Sequence, residues 1–124
     1  MLDKSRGDVG KAIVCFQYVE RIKSELILAA KMLERMGEFS GDEIIGASKL
    51  FSFFLEGLEG EINIAYNVLH MPEFNEARGR VREAADKANH NQYEEIMMKI
   101  SEAISSVASS GQWALQVLKD GGLL

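Results

Sequence analysis

A chain of 124 residues, 47% hydrophobic and 27% charged, is long enough to bury one core without disulfide or metal staples. A single domain over 1–124 is therefore expected, and a disordered class is excluded. The formal net charge of −5 argues against broad attraction to nucleic acid or anionic lipid, and no apolar run approaches the roughly 18 residues of a spanning helix.

One proline, abundant Ala, Leu, Glu, Lys and Met, and no period-two stretch predict an all-α fold. The expected architecture is an antiparallel helical bundle of three long helices plus one shorter helix. The opening MLDKSRGDVGK lacks an apolar stretch, so it does not read as a secretion signal, and the lone Cys15 cannot close an internal disulfide. Both features agree with a cytoplasmic location. The first helix is expected over about 8–36, with Val9, Ala12, Phe16, Val19, Leu26, Ala30 and Leu33 on one face and Gly37 stopping it.

The second helix is expected over about 40–70. In FSGDEI, Ser40 and Glu43 have capping-box spacing and Phe39 can staple onto Ile44. Ala47, Phe51, Phe54, Leu58, Ala65 and Leu69 carry the helix to His70, before the break at Pro72. Its apolar arc is roughly 200° wide, against the ordinary stripe of about 100°, so the helix should be central. One half of that arc holds Gly46, Leu50, Phe53, Gly57 and Ile64, with Gly60 at the edge. Each glycine costs a helix interior about 1 kcal/mol relative to alanine, and close approach of a neighbouring backbone or large side chain is the expected offset. The helix is thus expected to be enclosed on both flanks, and self-association is tied to that enclosure. Glu61 falls near the centre of the stripe, with the Tyr18 hydroxyl as its expected partner; Lys23 and His70 complete a candidate internal polar site.

A third helix over about 72–88 carries Phe74, Ala77, Val81, Ala84, Ala85 and Ala88. This thin face predicts packing at the margin. Arg78, Arg80 and Arg82 form a candidate anion contact. However, Glu76 with Arg80, Arg82 with Asp86 and Glu83 with Lys87 have the four-residue spacing of an exposed, ion-paired surface.

The fourth helix is expected over about 91–119, opened by Asn91 and Glu94 at capping-box spacing and closed by Gly121 with Leu123. Tyr93, Met97, Ile100, Ile104, Val107, Leu115 and Leu118 are its expected core stripe. Trp113 and Val117 project from the other side; Trp113 is expected either in an interface or covered by the short third helix or the amino-terminal segment. The small-residue run SSVASSG is expected to admit Phe51 or Phe54, or to bend.

Catalytic and metal motifs are missing from the sequence. Neither His70 nor His90 follows a glutamate by three positions, as a di-iron bundle requires, and the chain has one cysteine and two histidines, scattered. No nucleophile elbow or phosphate-cradling glycine loop is present. The function expected is a non-catalytic structural or protein-interaction module without cofactor, forming a homodimer or binding another protein. Nucleic acid and membrane are not the expected partners. The alternatives are a small-molecule binder or enzyme with a polar site near Glu61, and a nucleic-acid accessory protein using Arg78, Arg80 and Arg82.

Overall fold

A computed structural model describes the backbone of residues 3–90 and 92–124, and side chains from Asp8 onward within those ranges. It contains α1 (Asp3–Met36), α2 (Asp42–Leu69), α3 (Pro72–Lys87), a short 3-10 turn (Ala88–His90) and α4 (Tyr93–Asp120). The chain is an all-α bundle in which α1 packs on α4, α4 on α3 and α3 on α2, while α2 closes on α1 less extensively. Ser52 meets Ala85 and Glu59 meets Arg78 between α2 and α3, Arg80 meets Glu102 and Lys87 meets Glu95 between α3 and α4, and Val9 lies at Gly121 and Val19 at Gly111 between α1 and α4, so residue order reverses on each of these pairs and the helices are antiparallel. Short connections enforce this arrangement.

On α1, Ala12, Cys15, Val19, Ile22, Leu26, Ala29, Leu33 and Met36 are buried at alternating spacings of three and four. This is the seam a helix presents to close neighbours. The helix begins at Asp3, five residues before the sequence suggested. Phe16 and Ala30 are only half-buried, because the seam centres on Cys15 and Ile22.

The expected capping box does not form. Gly41 occupies the cap of α2 at φ 59 without a side-chain hydrogen bond, a conformation glycine tolerates, and the helix starts two residues after Ser40. Phe39 lies 45% exposed. The α2 core face is Phe51, Leu55, Leu58, Ile62, Ala65 and Leu69, joined by buried Ser48 and Ser52. The Ser52 hydroxyl donates to the Ala85 carbonyl of α3 at 3.3 Å, which satisfies it inside the bundle.

The third helix is integral and not marginal. Its five predicted apolar residues, Phe74, Ala77, Val81, Ala84 and Ala85, are all buried between α2 and α4, with Ala88 buried in the turn that follows, since alanines let the helices come close. On α4 the seam is rotated from the expected stripe. Ile96, Ile100, Ala103, Val107, Ser110, Gly111, Ala114 and Leu118 are buried, while Leu115 is 41% exposed. Small residues define this seam because α1 lies against them: a Cβ added at Gly111 would stand 2.9 Å from Val19 Cγ1. The small-residue run thus receives α1 and neither Phe51 nor Phe54. The carboxyl end closes with Gly122 NH donating to the Lys119 carbonyl and Leu123 NH to that of Leu118, with Gly122 at φ 77. The expected role of Asn91 lies outside the described residues.

Candidate interaction surface

The inward face of α2 is committed to the core, so its other half is free. Leu50, Phe53, Ile64 and Val68 are 68%, 63%, 55% and 54% exposed. Gly57 and Gly60 lie between them and Gly46 one turn before Leu50, and a Cβ built at any of the three meets nothing within 4 Å. The expectation that a backbone or side chain of the bundle settles on these glycines is therefore corrected: α2 is enclosed on one flank and bare on the other. The expectation fails because two serines, not the glycine edge, complete the buried face.

From Gly46 to Ile64 the outward positions follow spacings of four, three, four, three and four. That mean period matches an ordinary α-helix, so the six form a straight seam roughly 27 Å long at 1.5 Å per residue. Lys49, Glu56 and Asn63 are exposed along one edge. On the other edge, at the Leu50 end, the seam runs into an apolar groove of about 370 Å³ lined by Leu28, Met32, Phe39, Ala47 and Leu50, with Lys31 and Arg35 beside it. Searches against protein families, curated proteins and solved structures find no match for this chain. Any functional statement must therefore come from its own surface.

Trp113 does not join the seam. It is half-buried on α4, and Lys11 Nζ of α1 lies 5.8 Å from its ring centroid, a cation–π distance. The amino-terminal helix thus lies against it, one of the two covers expected as the alternative to an interface. Val117 is half-buried beside Val9 and Gly121.

The internal polar site is not assembled. Glu61 pairs with Arg21 Nε at 2.6 Å instead of Tyr18. Glu25 shares that guanidinium at 3.5 Å; burial, together with the Glu61 carboxyl beside it, raises Glu25 above the usual carboxylate range, and Arg21 acts against both. Lys23 pairs with Glu20 at 3.0 Å, Tyr18 is half-buried against the core, and His70 is exposed in the left-handed cap of α2 with its ring edge-on to Tyr66. Among the described residues no three His, Cys, Asp or Glu side chains stand together as a metal site would require.

The three arginines diverge. Arg78 reaches Glu59 of α2 at 3.5 Å, Arg80 reaches Glu102 of α4 at 3.4 Å, and Arg82 is exposed. The expected four-residue pairs are replaced by an Arg80–Glu83 pair within α3 at 3.3 Å and by pairs across the α3–α4 seam, because carboxylates and ammonium groups of α4 lie alongside. Lys99 meets Glu83 at 2.8 Å and Lys87 meets Glu95 at 2.8 Å. Helical spacing puts Leu50 on this half of the arc with Gly46, Phe53 and Gly57 without marking it as an interface residue, and Val68, about two turns beyond Gly60 on the same face, went unnoticed.

Proposed function

We propose that this chain is a structural or protein-interaction module without catalytic activity, which self-associates through the outward face of α2. The observation that supports it is the continuous seam of Leu50, Phe53 and Ile64, each more than half exposed, on a helix whose opposite face is fully packed. A contiguous apolar patch of this kind marks an interaction site on a soluble surface. The adjoining groove along α1 widens the same apolar surface. Burying one large apolar side chain gives up to about 1.5–3 kcal/mol, and a two-fold pair buries each of these residues twice, which works against the cost of association.

Light scattering of the full chain at tens of micromolar should give twice the monomer mass. Phe53→Asp, which sets a charge in a dry seam, should return it to monomer with its helical signal intact. A wild-type chain that remains monomeric overturns the proposal.

A further inference from the structure

Resting on that reading, we infer that two copies of α2 pair antiparallel about a two-fold axis beside Leu55, so that each large residue of the seam settles over a glycine of the partner. The large and small positions are mirror images about position 55. Phe53 and Gly57 lie two places to either side, Leu50 and Gly60 five places, and Ile64 and Gly46 nine places. An antiparallel two-fold therefore faces Phe53 with the partner's Gly57, Leu50 with its Gly60 and Ile64 with its Gly46, each contact occurring twice. The glycines are open bays in the isolated chain, with nothing within 4 Å of a built Cβ, so each knob meets a vacant hole.

A parallel pair in register would bring Phe53 against Phe53 and leave the glycine levels facing each other across voids, with the attraction between packed atoms lost there. Shape alone thus favours opposite directions.

Charge placement agrees. Glu56 lies one place from the centre on the edge of α2 toward α3, and the two-fold brings both copies of it toward the axis. Arg78 and Arg82 stand one turn apart on the edge of α3 that meets α2; Arg78 is held by Glu59, and Arg82 is exposed. The antiparallel pairing of Ser52 with Ala85 and of Glu59 with Arg78 sets Arg82 at the level of Leu55 and Glu56. Arg82 of one copy is thereby offered to Glu56 of the other, offsetting the repulsion between the two carboxylates.

Cysteine capture tests the direction of pairing. Gly46→Cys and Ile64→Cys are prepared separately; the native Cys15 is fully buried, and the unmodified chain serves as control. Under mild oxidation the equimolar mixture should give a disulfide-linked dimer, and each variant alone should not. Cross-linking of each variant alone would overturn the antiparallel arrangement while leaving self-association standing. A wild-type dimer with no cross-link in the mixture would overturn this pairing, and a wild-type monomer would overturn the underlying proposal as well.

Charge exchange gives a second readout that needs no cysteine. Glu56→Lys alone and Arg82→Glu alone should each weaken dimerisation at least tenfold, and mixing the two variants should restore it through a heterodimer. Absence of rescue on mixing would overturn the cross-pairing of these side chains.

Discussion

Two neighbouring residues of α4, Ser110 and Gly111, lie against α1 and respond to substitution in opposite ways. Gly111 lies where Val19 leaves no room for a methyl group. Gly111→Ala gains about 1 kcal/mol of helix propensity but forces overpacking that costs roughly 1–3 kcal/mol, because a β-branched valine has little rotamer freedom to yield. A net loss of about 1 kcal/mol is expected in urea denaturation, and the same substitution made in a Val19→Ala background should cost less than it does in the parent; a net gain would mean α1 and α4 separate easily. The Ser110 hydroxyl is fully buried without a hydrogen-bond partner among the described residues. Ser110→Ala removes that unmet group and should stabilise the chain by about 1 kcal/mol. The backbone carbonyl of Ser110 still accepts the Cys15 thiol at 3.5 Å, and burial pushes that thiol up to about 11. Thiol reagents should accordingly label Cys15 only after unfolding.

At the scale of the helices, the α3–α4 seam and the α1–α2 seam titrate in opposite senses. The hydrogen bond from Lys99 holds Glu83 below the usual carboxylate range, and that from Lys87 does the same for Glu95. Folded values below the unfolded ones mean that this stabilisation is complete above the ordinary carboxylate pKa and disappears as pH falls through the depressed ones. Lys99→Gln should therefore lower stability at neutral pH and have less effect in strong acid. Equal losses at both would assign the effect to packing of the lysine stem. Glu25 behaves in reverse. Its raised value means the fold favours the protonated acid, so the advantage is complete below the unfolded pKa and is lost as pH rises through the folded one. Glu25→Gln should raise stability at neutral pH by about 0.5 kcal/mol, a magnitude suited to partly exposed charges, with little change in acid. The helix count and the whole buried face of α3 were legible, because long periodic segments and Pro72 leave few alternatives. The rotation of α4 was not: ranking by hydrophobicity favours Leu115 over Ala103, Gly111 and Ala114, whereas close approach of α1 selects the smaller side chains. The same bias concealed Ser48 and Ser52, whose burial depends on Asn89 of the turn and Ala85 of α3, partners the local sequence does not display.

The molecule as a whole poses one conflict between folding and surface. Three glycines weaken α2 where nothing in its own bundle approaches them. The breadth of the apolar arc was readable from the sequence, but periodicity alone could not say which half turned inward, since both halves have helical spacing. With the inward half known, the earlier basis for assembly, a helix enclosed on two sides, is replaced by another: a bare seam whose missing side chains leave space for a second copy. This reversal separates the stability of one chain from the affinity between two. Gly46→Ala, Gly57→Ala and Gly60→Ala together add helix propensity of about 1 kcal/mol each without steric cost inside the bundle, so a chain dilute enough to be monomeric should resist urea better by roughly 2–3 kcal/mol. The same three methyl groups fill the bays that Phe53, Leu50 and Ile64 are proposed to occupy, so the dimer should weaken at least tenfold in sedimentation or light scattering at matched concentrations. Dimerisation itself raises apparent stability by mass action, which is why the two measurements are made on opposite sides of the association midpoint. A triple variant that is both more stable and as strongly associated as the parent would place the contact between copies elsewhere, because knobs cannot enter filled bays without parting the helices.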